Sequence, residues 1–200
     1  MWRTKPIARQ SCSTTPMLPR TGSGATGVVA VRRHRFSSSP SPPGVGAGVV
    51  IDGKVLQGAH GLATHVGFLS SGLQGTALEL HASGGALGRQ ASQQLGREVD
   101  ARTVVLLAEE GDEGMLDLVQ AAVRELAIML RRVQWVLDPQ CIAIGGGVGL
   151  APLVFAALER EASRDEALGV RAPMHLVRAE LGANAGLVGM GAWLDEHANP

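Results

Sequence analysis

The sequence predicts an α/β fold, a sheet with helices packed on its faces. Three observations predict it. Apolar runs of strand length alternate with runs of helical period, in the order strand, loop, helix, strand, helix, strand, helix. One run, from Met115 to Leu137, repeats apolar residues at spacings of three and four along its whole length. A triple glycine, Gly145-Gly146-Gly147, follows the apolar run Cys141–Ile144. In open α/β sheets, ligands gather beyond the carboxyl ends of strands.

Composition sets the bounds. Two hundred residues with 45% hydrophobic side chains suit one domain, or one and a half, with a real core. The formal net charge is zero, so bulk electrostatics gives no argument for nucleic acid or a membrane surface as partner. No apolar run reaches about 18 residues, the length of a membrane span. Two cysteines, Cys12 and Cys141, are too few for a disulfide framework, and a cytoplasmic location is expected.

The neutral total conceals an asymmetry. Residues 1–43 hold Arg3, Lys5, Arg9, Arg20, Arg32, Arg33 and Arg35, and no acid. They also hold six of the ten prolines, and they show neither helical nor strand periodicity. The expected organisation is therefore a basic, disordered segment over 1–43 and a folded domain over 44–200. The Arg- and Ser-rich composition also suits an organelle transit peptide, whereas the missing apolar stretch excludes a Sec signal.

From Gly44 the character changes. Gly44, Gly46 and Gly48 alternate with small residues, which reads as a turn whose backbone N–H groups can approach an anion. Residues 49–51 read as a buried strand, Asp52-Gly53 as a hairpin turn and 54–56 as the return strand. A second glycine turn covers 58–61, and 70–76 read as a loop. Residues 79–95 read as one helix with Ser83-Gly84 early in it, and 103–108 as a short helical turn. Asp112 is the candidate N-cap of the long periodic helix, which Asp138-Pro139 stops. Residues 150–162 read as a helix and 174–179 as a strand. A glycine-rich turn at 181–190 enters a last helix through Trp193.

Two glycine turns and two polar side chains carry the candidate chemistry. Gly44, Gly46, Gly145, Gly146 and Gly147 are candidate nucleotide-binding positions, although glycines also serve ordinary hairpins and strand-to-helix turns. Gly58, His65 and Glu79 are candidate substrate-binding positions. A carboxylate accepts from neighbouring hydroxyls, and an imidazole donates or accepts. Taken alone, His65 and Glu79 read first as surface or capping residues. His60 and His81 read as surface residues.

These residues carry a resemblance. Gly44-Val45-Gly46-Ala47-Gly48 is similar to the GTGxGxG phosphate turn of the ROK family of sugar kinases and repressors. Residues 58–68 (GAHGLATHVGF) resemble its G-A-x-G-x-A-G-E-x-G-H sugar segment, and 77–84 (ALELHASG) its C-x-E-x-x-A-S-G segment. His65, where most members have glutamate, and the CIAIGGGVGLA run at 141–151 resemble the bacterial N-acetylmannosamine kinase branch. The resemblance covers about three quarters of the chain.

The resemblance implies a ribonuclease-H-like (actin-type ATPase) fold, mainly the C-terminal lobe of a sugar kinase. It implies ATP and Mg²⁺, transfer of the γ-phosphate to the 6-hydroxyl of N-acetylmannosamine, and a homodimer. The alternatives are a ROK-type sugar-sensing repressor, which would bind DNA, and a non-catalytic fragment. No zinc is expected. Members that bind it use C-x-C-G-x-x-G-C after a histidine, and here Phe68 and Ala77 stand at the histidine and last-cysteine positions.

No catalytic residue is assigned. The family's base lies in an N-D-A-N-A-A-A motif upstream of the phosphate turn, and this chain lacks it. Read two bases later, however, the codons of residues 12–20 (CSTTPMLPR) can encode Leu-Asn-Asp-Ala-Asn-Ala-Ala-Ala. Those of residues 35–43 (RFSSSPSPP) can encode Val-Leu-Val-Leu-Thr-Val-Ala-Thr. Residues 1–43 are thus expected to be an out-of-frame translation that returns to frame near Gly44.

Overall fold

The computed structural model describes residues 28–32, 44–51, 54–71, 75–164 and 174–179. For Val28–Arg32, Lys54–Val55 and Ser71 it describes the backbone only. The main sheet has five strands: β1 (Val28–Arg32), β2 (Gly46–Ile51), β3 (Lys54–Val55), β6 (Cys141–Ile144) and β7 (Leu176–Arg178), in the spatial order β3-β2-β1-β6-β7. β1 runs antiparallel to β2 and parallel to β6, and β7 continues the parallel half. A separate hairpin pairs β4 (Ser70–Ser71) with β5 (Thr76–Ala77).

β1 corrects the expectation that residues 1–43 contain no strand. It is the central strand, with Val29 opposite Val49 on one side and Ile142 on the other. Its apolar residues, VVAV, run without alternation, so a period-two test passes over it. The basic, proline-rich surroundings hid it further.

The β2–β3 hairpin forms as its sequence predicts, with Val50 opposite Val55. Asp52-Gly53 itself lies outside the described residues, as do 181–190 and the helix expected through Trp193. Gly46 and Gly48, however, belong to β2 and not to a turn. Their backbone takes part in the β1 ladder, opposite Arg32 and Ala30. The expected loop at 70–76 also differs, since both its ends pair as β4 and β5.

The expected helix at 79–95 is broken in two. α1 (Glu79–Ala82) stops at Ser83, whose ψ of 157° is extended. The Ser83 side chain accepts from the Ala86 N–H at 3.0 Å and so starts α2 (Gly84–Leu95). Serine competes with its own helix for backbone donors, which makes it a better cap than interior residue. α2 ends at Gly96, with φ +65°. The short turn expected at 103–108 is a full helix, α3 (Ala101–Glu109). Asp100 caps it, accepting from the Thr103 N–H and hydroxyl, each at 2.8 Å.

α4 (Glu113–Leu137) is the spine, and Asp112 caps it as predicted by accepting from the Met115 N–H at 3.0 Å. Its buried face includes Met115, Val119, Val123, Leu130 and Val133. These meet the fully buried strand β6 and the Val154, Phe155 and Leu158 face of α5 (Pro152–Ala162) in one core. Arg131 fastens α4 to the end of α5 by donating to the Arg164 carbonyl at 2.9 Å. Asp138 closes α4 in the left-handed region, at φ +41°.

The cap of α3 gives a pH-dependent prediction. The Thr103 backbone N–H, then the Thr103 hydroxyl, hold the Asp100 carboxyl below its ordinary value of 3.8. A carboxyl depressed in the folded state adds stability above its unfolded value, and the contribution fades as pH falls through the folded value. Asp100→Ala should cost about 0.5–2 kcal/mol in urea unfolding at pH 7, and the difference from wild type should shrink below about pH 4.

Candidate active site

A cleft of about 70 Å³ opens where the carboxyl end of β6 meets the break between α1 and α2. Gly44 and Val45 form one wall, Ser83 and Gly84 another, and Gly145, Gly146 and Gly149 a third. Val119, Ala122, Val123 and Leu126 of α4 make an apolar floor. The sequence folds this way locally for definite reasons. Gly146 has φ +83°, a conformation that costs glycine nothing. A Cβ on Gly149 would stand 2.7 Å from the Gly145 carbonyl oxygen, so the turn closes only without one.

The electrostatics suit an anion. Among the described residues, no carboxylate lines the cleft. The first turn of α2 meets it at Ser83 and Gly84, and a helix amino terminus carries partial positive charge. The volume is well below the roughly 300–1,000 Å³ of a complete small-molecule pocket. A crevice of this size takes part of a ligand and leaves the rest across its mouth.

On the other side of Val45 lies the 58–68 segment. Gly58 and Gly61 turn it, with φ +72° and +68°. Thr64 has φ +69°, which is strained for a β-branched residue, and its hydroxyl donates to the Ala47 carbonyl of β2 at 2.8 Å. The family motif it resembles has glycine at this position. His65 follows, ahead of the 3₁₀ turn Val66–Phe68, and its ring stacks on Phe68 with centroids 6.0 Å apart.

Glu79, at the start of α1, joins the two sides. Its Oε2 accepts from the Val45 N–H at 3.3 Å. A Cβ on Gly44 would collide with this carboxylate, and a Cβ on Gly67 would collide with the Val45 carbonyl. The 3₁₀ turn thus packs on the first glycine wall only because residue 67 is glycine, and a side chain at residue 44 would have to push the Glu79 carboxylate aside.

The candidate positions sort as follows. Gly44, Gly145 and Gly146 line one cleft. Gly147 is exposed on the same turn but does not line the cleft, and Gly46 is buried in β2. Glu79 touches the rear of the Gly44–Val45 wall, while Gly58 and His65 lie on the segment that Thr64 ties to β2. Ser83 and Gly84 were missed as wall residues. The signal was present, since a serine followed by two glycines is a poor helix interior and a good start. His81 is half-buried with its Nε2 2.7 Å from the Thr76 hydroxyl, which corrects its reading as a surface residue.

Thr64 gives a second prediction. Thr64→Ala keeps the left-handed strain and loses the hydroxyl bond, so it should cost about 1–2 kcal/mol. Thr64→Gly loses the bond but removes the strain, and should cost less. Urea unfolding checks the order, and equal losses would show that the backbone here is unstrained.

Comparison with known proteins places this geometry. The ROK family profile matches residues 42–197. The bifunctional enzyme NanE/NanK of Brucella melitensis is 37% identical over 149 residues, 74% of this chain and 28% of that protein. The N-acetylmannosamine kinase of Escherichia coli is 34% identical over 154 residues, 73% of this chain and 52% of that one. This chain therefore spans about half the length of that kinase, and less of the bifunctional enzyme. Among solved structures, the ROK hexokinase of Thermus thermophilus superposes with a TM-score of 0.66 at 31% identity, over 88% of this chain and 60% of its own. A ROK glucokinase of Streptomyces griseus, solved with glucose and AMPPNP, gives 0.66 at 23% identity, over 86% of this chain and 62% of its own. The fold is thus that of the actin-type ATPase sugar kinases, and with a family match over most of its length this chain belongs to the ROK family.

Proposed function

We propose that this chain carries the carboxyl-terminal part of an ATP-dependent kinase for an N-acylated amino sugar, with N-acetylmannosamine as substrate and its 6-phosphate as product. One observation carries the proposal. Two glycine walls and a helix amino terminus converge on a cleft with no carboxylate among its described lining residues, and Glu79 bonds the back of one wall next to the 58–68 segment. The N-acetylmannosamine kinase relatives support the choice of sugar.

In this scheme Gly44, Gly145 and Gly146 bring backbone against the nucleotide, and Glu79 and His65 bind sugar hydroxyls. Phosphoryl transfer rests largely on alignment and charge neutralisation, with a base for the hydroxyl proton. Mg²⁺ would be held chiefly by the nucleotide phosphates, as it commonly is. Among the described residues, no three His, Cys, Asp or Glu side chains stand together to hold a metal by themselves. The functional form is taken to be a cytoplasmic homodimer. No helix among the described residues is long and apolar enough to cross a membrane.

The base is absent from this scheme. Asp138 serves as the end of α4, where its Oδ1 accepts from Gln134 Nε2 at 3.1 Å, and it does not line the cleft. A missing general base costs about 10²–10⁴-fold. Restoring the alternative frame upstream of Gly44 would supply Asn-Asp-Ala-Asn-Ala-Ala-Ala, and would replace the Val28–Arg32 sequence that forms β1 here.

The test is coupled ADP release with N-acetylmannosamine, N-acetylglucosamine and glucose, on this chain and on the frame-restored chain. The restored chain should phosphorylate N-acetylmannosamine at least about 10²-fold faster than this one. A restored chain that phosphorylates none of the three contradicts the proposal.

A further inference from the structure

We propose that Arg178 is a positioning residue for the 145–150 turn, and through it for the nucleotide. The link to nucleotide rests on the function proposed above; the link to the turn does not. Three observations carry it.

The first is a missing cap. α5 begins after Ala151, whose side chain has no oxygen to accept from the helix donors, and Pro152 is the first helical residue. The turn before it has internal bonds, from the Leu150 N–H to the Gly146 carbonyl and from the Ala151 N–H to the Val148 carbonyl, each 3.1 Å. The turn's own side chains tie it to the core only by apolar packing, through Val148 and Ala151.

The second is the reach of Arg178. It is the last residue of β7, in register with Ile144 at the end of β6. The ladder continues one step further, with the Ala179 N–H donating to the Ile144 carbonyl at 2.9 Å. From this rigid base, Arg178 donates from an Nη atom to the Leu150 carbonyl at 2.8 Å. Its guanidinium also lies 4.0 Å over the centre of the Phe155 ring, and Phe155 is buried in the core. A planar group held at its edge and on its face has little freedom.

The third is the sign of the charge. A cation beside the first turn of a helix opposes the helix dipole. Stability of α5 alone would favour an acid or a neutral residue here. The same cation is favourable once an anionic ligand lies against the neighbouring glycines. Arg178 therefore fixes the carbonyl that ends the turn, and its charge is best offset when the cleft is filled.

Amide exchange at Gly146–Ala151 and calorimetric titration with ADP test this on wild type, Arg178→Ala, Arg178→Lys and Phe155→Leu. Arg178→Ala should speed exchange at Leu150 and Ala151 and weaken ADP binding, each about tenfold. Arg178→Lys, which keeps charge but loses the planar fork, should recover less than half of that loss on a logarithmic scale. Phe155→Leu should weaken ADP about two- to fivefold. The melting temperature of Arg178→Ala should stay within about 4 °C of wild type, so a global loss of structure is recognisable. Unchanged exchange at Gly146–Ala151 in Arg178→Ala overturns the positioning role. Faster exchange with unchanged ADP affinity overturns the link to nucleotide. Failure of the wild type to bind ADP counts against the kinase reading, and exchange alone then decides the role of Arg178.

Discussion

A Cβ at residue 44 would meet the carboxylate of Glu79, and one at residue 67 would meet the backbone carbonyl of Val45. The rest of the site depends on that close fit. Glu79 comes from the start of α1, Gly44 and Val45 from the segment entering β2, and Gly67 from the 3₁₀ turn. They share one small volume because two of the four contribute no Cβ. A half-buried carboxylate in such a place needs a donor, and the Val45 N–H supplies it. The contact fixes the back of the cleft wall and the front of the 58–68 segment with one side chain.

The core supports this arrangement through α4. The same helix that packs on β6 and α5 with Leu130 and Val133 lays Val119, Ala122, Val123 and Leu126 under the cleft. Apolar floor and polar backbone walls are the usual division of labour in a ligand site, one excluding water and the other fixing orientation. The walls here are almost entirely main chain: glycines, a capped helix start, and the turn after β6. Such walls have few rotamers to order on binding, but their positions rest on whatever holds the backbone. That is the task of Ser83 for α2, of Thr64 for the 58–68 segment, and of Arg178 for the 145–150 turn.

Legibility in the sequence followed the physics of each element. α4 was legible because 25 residues of helical period average out individual exceptions, and its start and stop both carry side-chain signals. β6 and the β2–β3 hairpin were legible because apolar runs beside glycines have few alternatives. β1 was not, since four apolar residues in a row show no alternation and these lie in a basic segment. The break at Ser83 was legible only in the Ser83-Gly84-Gly85 signal, which the helical period on either side of it masks. Gly46 was misplaced because glycine in a turn and glycine in a strand look alike until the ladder is known. Pairing across 34 residues, as between Val45 and Glu79, leaves no local trace; the family resemblance supplied Glu79, and the geometry supplied its partner.

Two glycines of this region allow a direct test by urea unfolding. A Cβ on Gly67 would meet the backbone carbonyl of Val45, which cannot swing aside as a flexible side chain can, whereas a Cβ on Gly48 would meet nothing within 4 Å. If the close fit around Glu79 organises the site, Gly67→Ala should lose about 1–3 kcal/mol, while Gly48→Ala stays within about 0.5 kcal/mol of wild type. Equal, small changes for both would contradict the account.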